Sequence, residues 1–193
     1  IIYHQDDAPS ARTLQGRGIQ CRLLPWQPHS EPMVEWILEQ LVELEPDVFV
    51  PNLSVQGCYA ARWVREAGIP TIAVLRNDDS FHTGMVGEFV TGKREGALSG
   101  LVCVSEGLRD NVRLQNPQHT RLTTIPSGVL VSPQVSAQSG PLRLAYVGRL
   151  VQQQKRVFDL VGALCRVLEA IPDTTATLFG EGSERRRLEE YVK

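Results

Sequence analysis

The sequence lacks a surplus of positive charge. Lys and Arg together number 20 against 22 Asp and Glu, which gives a formal net charge of −2. Proteins that bind nucleic acid usually carry a strongly basic surface, so this composition argues against that class of partner. Three consecutive arginines stand at 185–187. A short charge run of this kind usually forms a solvated helix face, and we expect one here.

The sequence also has few cysteines and no metal-binding spacing among them. The four are Cys21, Cys58, Cys103 and Cys165, with no C-x-x-C pair and no histidine beside them at ligand spacing. We therefore predict neither a zinc site nor a disulfide framework. Cys103 and Cys165 lie in apolar runs and are expected in the core. The pattern is typical of a reducing compartment, which predicts a cytoplasmic protein.

Long hydrophobic runs are missing too. No run approaches the ~20 apolar residues that span a bilayer, and the sequence shows no signal-peptide pattern, so we expect none. The chain starts without Met, inside an apolar segment at residues 1–4 that has the character of a strand. We expect the first strand of the parent domain to be missing from this chain.

What is present is a regular alternation of short apolar runs and amphipathic segments. The runs, each of four to six residues and most rich in β-branched side chains, predict buried strands at 47–50, 71–75, 101–104, 142–147 and 176–179. Alternating strands and helices at this spacing predict an α/β fold with Rossmann-like parallel sheets flanked by helices.

Helices are predicted between the runs from periodicity and from their end signals. We expect Ser30 to cap a first helix and Ser105 to cap another. Gly68 should end a helix whose apolar stripe is Tyr59, Ala60, Trp63, Val64 and Ala67. The clearest stripe is Val157, Leu160, Val161, Leu164 and Leu168, stopped by Pro172. Leu188 and Val192 indicate a last helix.

One segment interrupts the alternation. Residues 132–141 are rich in Ser, Pro and Gln and predict a linker. We place one domain at 1–131 and the start of a second at 142–193. The second holds only two predicted strands, too few for a complete sheet covered by helices on both faces, so it is expected to be truncated or to complete the first sheet.

The segment with the strongest chemical signal follows the strand at 142–147. Gly148 allows a tight turn or a close ligand, and Arg149 and Lys155 flank a polar loop before a helix. Ligands in open α/β sheets sit beyond the carboxyl ends of strands. A diphosphate there would meet Arg149 as a planar fork and Lys155 as a point charge, near a helix amino terminus. The alternative is two solvated cations at an ordinary strand–helix turn.

Four elements in order resemble the retaining, family-4 type of GT-B glycosyltransferase. In chain order they are Val104-Ser105-Glu106; Ile125-Pro126-Ser127-Gly128-Val129, where Ser127 replaces the family's Asn; Gly148-Arg149-Leu150 with Lys155 and the helix at 159–164; and Gly180-Glu181-Gly182. The resemblance covers 102–189 best and is weaker before it.

This resemblance implies transfer of a sugar from a nucleotide diphosphate sugar to a glycan or lipid-linked acceptor, with retention and without a metal or other cofactor. Arg149 and Lys155 would neutralise the leaving diphosphate, and Gly148, Gly180, Glu181 and Gly182 would line the donor site. The family's glycine-rich loop after the first strand and its Glu-x7-Glu segment have no match in 1–193. The resemblance allows a peripheral membrane contact, for which no basic amphipathic helix is evident.

The acceptor side follows the strand at 71–75. The family places a His-containing loop there, but Arg76 stands nearest that position and His82 lies further along. Arg76, Asp78, Asp79 and His82 are the candidates for binding acceptor hydroxyls. The alternative is an Asn-Asp turn that caps the next helix.

Two other nucleotide-binding motifs are excluded because each lacks a required residue. Residues 87–94 nearly match a P-loop but end in Arg94 instead of Ser or Thr. Gly180-Glu181-Gly182 lacks the third glycine of a dinucleotide fingerprint. Two rivals remain. One is a non-catalytic α/β protein that binds sugars or small molecules, because fold alone does not decide function; the other is a catalytically dead, truncated or permuted product, which would be inactive as this fragment. A neutral-sugar binder would have no need of the Arg149 and Lys155 pair.

Overall fold

The computed structural model describes residues 2–3, 9–24, 27–92, 95–131, 133 and 140–192. They divide into two compact units, Ile1–Leu130 and Val131–Lys193. The division falls at the amino end of the predicted linker, most of which lies outside the described residues. The domain boundaries drawn from the sequence stay predictions.

The first unit is a set of parallel strands joined by helices. In chain order the elements are β1 (Ile2–Tyr3), α1 (Pro9–Gln15), β2 (Arg22–Leu23), α2 (Ser30–Leu44), α3 (Val55–Glu66), β3 (Ile72–Leu75), α4 (Ser80–Phe89), β4 (Gly100–Cys103), α5 (Glu106–Leu114) and β5 (Arg121–Thr124). Strands β3, β4 and β5 pair in that order, and β1 pairs with β2. All of these pairs are parallel, as the alternation predicted.

The strand predicted at 47–50 is reduced to a single bridge between Phe49 and Thr71. The Phe49 N–H donates to Pro70 O at 2.9 Å, and the Ile72 N–H donates to Phe49 O at 2.9 Å. The next donor of a parallel ladder would be the backbone N–H of residue 51, which is proline and has none. The prediction of a full strand was therefore wrong, for a reason visible in the sequence.

The core of this unit lies on β3 and β4 beneath the helices. Ala73, Leu75, Leu101 and Cys103 are each at most 3% exposed. Helix α3 faces them with small residues at helical spacing, namely Gly57, Cys58, Ala60, Ala61 and Val64. Tyr59 and Trp63, predicted to face inward, are 46% and 49% exposed. The buried stripe of α3 is therefore rotated from the predicted one, onto its smaller side chains.

Helix ends follow the predicted signals closely. Gly68 has φ +84° just beyond α3, and the Gly68 and Ile69 N–H groups donate back to Arg65 O and Val64 O. Ser105 caps α5 by accepting from the Leu108 N–H at 3.3 Å. In α2, however, the cap is His29 and Ser30 is already the first helical residue, so the predicted Ser30 cap was wrong.

The second unit contains a two-stranded parallel sheet with helices. Its elements are β6 (Arg143–Val147), α6 (Gln152–Lys155), α7 (Val157–Ala170), β7 (Thr175–Phe179) and α8 (Arg185–Tyr191). Strands β6 and β7 pair from Arg143 with Thr175 to Val147 with Phe179. The buried core consists of Leu150, Val157, Val161 and Leu188, with Tyr146 and Leu178 packed against it from the strands. Leu168, the last residue of the predicted stripe, is 40% exposed.

Candidate functional site

The predicted phosphate motif lies in the turn between β6 and α6. The Gly148 N–H donates to Phe179 O at 3.0 Å and so continues the strand pairing into the turn. Leu150 is buried and fixes the turn to the core, while Arg149 between them is exposed. Lys155, at the end of the four-residue α6, is exposed as well. The motif therefore presents both cations outside the carboxyl end of a parallel strand.

Gly180 and Gly182 serve first to join the β7–α8 loop to this turn. A Cβ on Gly180 would overlap the Gly148 carbonyl oxygen, and one on Gly182 would lie 2.8 Å from Leu150 N and overlap its carbonyl oxygen. The close approach forms two hydrogen bonds: the Leu150 N–H donates to Glu181 O at 2.8 Å, and the Glu184 N–H donates to Leu150 O at 3.1 Å. The two predicted donor-site motifs are thus held together as one surface.

The cations of this surface differ from the arginines of α8 in their partners. Arg149 donates a hydrogen bond to the neutral Gln154 side chain, and no ion pair to Arg149 or Lys155 occurs within the described residues. Each arginine at 185–187 pairs with a glutamate, which confirms the predicted solvated helix face. The two cations of the turn therefore have no carboxylate partner among the residues that the structure describes.

The turn borders an open depression at the carboxyl ends of β6 and β7. Its lining residues are Val147, Gly148, Arg149, Phe179, Gly180 and Glu181. Val147 and Phe179 are 79% and 56% exposed, so an apolar floor lies beside the cations. Glu181 is drawn toward Arg185, with which it forms an ion pair. All of the predicted donor-site residues except Lys155 and Gly182 line this depression.

The contribution expected from a helix amino terminus is weaker than predicted. Helix α6 is a single turn, and the longer α7 begins only at Val157, beyond both cations. At that start, the Phe158 N–H already donates to the Gln152 side chain at 3.1 Å. Arg156 and Asp159 form an ion pair in the same turn, at 2.6 Å. The side chains of Arg149 and Lys155 are therefore the main source of positive charge.

At the predicted acceptor side, Asp79 is the cap of α4, as the alternative interpretation predicted. Its carboxylate accepts from the His82 backbone N–H at 3.0 Å and contacts the His82 ring Nδ1 at 2.7 Å, while Asn77 Nδ2 donates to it at 2.7 Å. The hydrogen bond from the His82 backbone, followed by that from its ring, lowers the pKa of Asp79. Arg76 and Asp78 are exposed. Asp78 and His82 line a small cleft that extends to Asn111 of α5 and to Gln115 just beyond its end.

Two residues at the turn were not identified from the sequence. The Tyr146 hydroxyl donates to Arg149 O at 3.0 Å, and Gln154 accepts from the Arg149 guanidinium. A tyrosine two residues before Gly148 was the available signal, because its ring turns toward the space that the missing Cβ leaves open. Nothing in the composition of the Gln152–Gln154 run distinguishes Gln154 from its neighbours.

Other predicted features can also be placed. Residues 87–89 belong to α4, so the near match to a P-loop is part of a helix, and Lys93 and Arg94 lie outside the described residues. All four cysteines are free, and Cys58 and Cys103 are buried. No three His, Cys, Asp or Glu side chains come together as a metal site within the described ranges. In the same ranges no helix is long and apolar enough to cross a membrane.

Comparison with known proteins returns glycosyltransferases. No protein-family model matches the chain. The chain is 26% identical over 166 residues to the glycogen synthases of Mycobacterium tuberculosis strains CDC 1551 / Oshkosh and ATCC 25618 / H37Rv, a match that covers 83% of this chain and 37% of each relative. A solved structure, the lipopolysaccharide outer core galactosyltransferase WaaB in its apo form, matches with a TM-score of 0.66 and 18% identity, over 91% of this chain and 50% of that one.

These matches bear on the fold directly. The α/β fold of GT-B type predicted from the sequence is confirmed by the likeness to the galactosyltransferase. The predicted resemblance to GT-B glycosyltransferases is confirmed by both comparisons. The chain spans 37% of the length of the glycogen synthases that it matches.

Proposed function

We propose that this chain is part of a GT-B glycosyltransferase that moves a sugar from a nucleotide diphosphate donor to an acceptor with retention. The observation that carries the proposal is the turn at the end of β6, where Arg149 lines an open depression and neither Arg149 nor the exposed Lys155 has a carboxylate partner within the described residues. The likeness to glycogen synthases and to a galactosyltransferase supports it.

The chemistry follows from the charge that develops as the glycosidic bond breaks. The leaving nucleoside diphosphate gains negative charge, and preorganised cations lower the barrier by stabilising it. Arg149 can donate two parallel hydrogen bonds to phosphate oxygens, whereas Lys155 acts as a compact charge. Gly180 and Gly182 keep the β7–α8 loop close to the turn, so backbone of both loops borders the same depression.

The acceptor would bind to the first unit beyond the carboxyl end of β3. Asp78 and His82 line the cleft there, and Asp79 holds the His82 ring through its Nδ1. That contact leaves the other ring nitrogen of His82 available for a hydroxyl of a glycan or of a lipid-linked glycan. Arg76 is exposed and lies in the sequence between Leu75 and Asn77, which both line the cleft. Four free cysteines fit a reducing compartment, and we propose a cytoplasmic enzyme that reaches any lipid-linked acceptor by peripheral contact.

The experiment is a titration of this chain with UDP, GDP and ADP in which ligand-detected NMR measures the binding. We expect one nucleotide to bind and its affinity to fall about tenfold or more in Arg149→Ala and in Lys155→Ala, because charge-assisted hydrogen bonds are lost. Arg166→Ala is the matched control, since Arg166 is an exposed arginine of α7 with no ion pair in the described residues. Equal affinities in Arg149→Ala and the control would refute the phosphate site.

The transfer itself requires an assay of the parent protein with the nucleotide sugar selected by that titration. Retention predicts that the anomeric proton of the first product has the same configuration as in the donor, which NMR of the reaction reads directly. An inverted first product would contradict the retaining mechanism and leave the phosphate site intact.

A further inference from the structure

Arg149 is held by one hydrogen bond at its backbone and by another at its guanidinium. Arg149 is exposed, and an exposed arginine ordinarily samples many rotamers. The conformational entropy that it loses when a ligand fixes one rotamer weakens binding. Here the Tyr146 hydroxyl donates to the carbonyl oxygen of Arg149 at 3.0 Å, and Gln154 Oε1 accepts from Arg149 Nη2. The first contact holds the backbone of the turn, and the second holds the head of the side chain.

We propose that Tyr146 and Gln154 are positioning residues, which orient the Arg149 guanidinium for a phosphate before any ligand arrives. This inference rests on the proposed function of Arg149. Neither residue needs to touch the substrate, because each acts through Arg149.

The strand and the glycine make the tyrosine contact possible. Tyr146 is half-buried, with its ring packed against the core of Leu150, Val157, Val161 and Leu188. A Cβ at position 148 would lie 2.7 Å from the Tyr146 hydroxyl oxygen. Because Gly148 has no side chain, it leaves the space through which the Tyr146 hydroxyl reaches the carbonyl oxygen of Arg149.

Gln154 links the two cations of the turn. It lies in α6 immediately before Lys155, so its hydrogen bond ties the Arg149 head to the helical turn that carries the second charge. Its amide is neutral, and a carboxylate at this position would pair with the guanidinium and compete with a phosphate. A neutral acceptor orients the cation while leaving its charge uncompensated.

The test compares hydroxyl and amide deletions with matched controls. Tyr146→Phe is compared with Tyr191→Phe, because Tyr191 packs edge-to-face on Phe158 in the same unit. Gln154→Leu is compared with Gln153→Leu, because the Gln153 side chain is exposed and has no hydrogen bond within the described residues. The first measurement uses the ligand-free protein: NMR relaxation of the Arg149 Nε–H group, whose order parameter we expect to fall in Gln154→Leu and in Tyr146→Phe only.

The second measurement is nucleotide affinity in a double-mutant cycle with Arg149→Ala. We expect Gln154→Leu to weaken binding about three- to tenfold, the cost of ordering one long side chain, and to have no effect once Arg149 is alanine. Unchanged thermal unfolding of Gln154→Leu would confirm that the fold is intact, as an exposed hydrogen bond adds little stability.

The outcomes separate the two ideas. An unchanged Arg149 order parameter in both variants, or a loss of affinity that persists in the Arg149→Ala background, would overturn the positioning role. A lowered order parameter in a protein that binds none of UDP, GDP and ADP would uphold the positioning of Arg149 and overturn the proposed phosphate site. Equal effects of Gln153→Leu and Gln154→Leu would also overturn the assignment of Gln154.

Discussion

Substituting Gly182 by alanine should separate the two loops that build the candidate donor site. The added Cβ would overlap the Leu150 carbonyl oxygen and lie 2.8 Å from Leu150 N, and these are backbone atoms that cannot rotate away. The loop after β7 must therefore move. We expect the loss of the Leu150 N–H bond to Glu181 O and of the Glu184 N–H bond to Leu150 O, at 2.8 and 3.1 Å.

The size of the effect follows from those two bonds. A backbone hydrogen bond contributes about 1 kcal/mol net, so their joint loss destabilises the second unit by about 2 kcal/mol. That corresponds to roughly a 30-fold rise in the equilibrium constant for opening. Leu150 is buried, and its displacement would add to this loss.

Amide hydrogen exchange is the suitable assay because it resolves the two units. All three tryptophans stand at positions 26, 36 and 63, so fluorescence follows the first unit and misses the second. We expect protection of the β6 and β7 amides to fall about 30-fold in Gly182→Ala, with nucleotide binding weakened in parallel.

Gly162→Ala is the matched control for that experiment. Gly162 lies inside α7, where a Cβ would sit 3.8 Å from the Tyr191 hydroxyl in ordinary contact. Alanine in a helix interior is favoured over glycine by about 1 kcal/mol, so protection should stay or rise. Protection in Gly182→Ala equal to that of the wild type would refute the argument that the glycine is required by the close approach of the loops.

Three further predictions concern the first unit. Ser105→Ala removes the hydroxyl that accepts from the Leu108 N–H, and should lower the free energy of unfolding by about 1 kcal/mol in denaturant titrations followed by tryptophan fluorescence; an unchanged midpoint would contradict the cap. The pKa of Asp79 is lowered by its hydrogen bonds from His82, so its contribution to stability is complete above the ordinary aspartate pKa of about 3.9 and is lost as the pH falls through the lower folded value. The stability difference between wild type and Asp79→Asn should therefore shrink on acidification, and a difference that grows would reverse the assigned sign. Burial raises the pKa of Cys58 to about 12, so its alkylation at pH 8 should be at least about 100-fold slower in the folded protein than in denaturant, as mass spectrometry of the labelled peptide would show; equal rates would contradict its burial.

The elements that could be predicted were those with a strong local pattern. Strands β3, β4, β6 and β7 are apolar runs, and their positions agree with the prediction to within about one residue. Strand β5 was missed, because Leu122 is its single apolar residue and it pairs on one side only, with β4. Its pairing depends on a neighbour that local hydrophobicity cannot reveal.

The candidate site divides in the same way between local pattern and tertiary contact. The sequence by itself determined which residues follow the carboxyl end of a strand, because the apolar run at 142–147 predicts the strand and Gly148-Arg149-Leu150 comes directly after it. Only the tertiary structure decided which cations keep a free charge. The arginines of α8 meet glutamates one helical turn away, whereas Arg149 meets Gln154 across a tight turn. It also decided that Gly180 and Gly182 are needed for backbone contact between loops that are about thirty residues apart in the chain, because such contacts depend on how two strands pair and not on the sequence around either glycine.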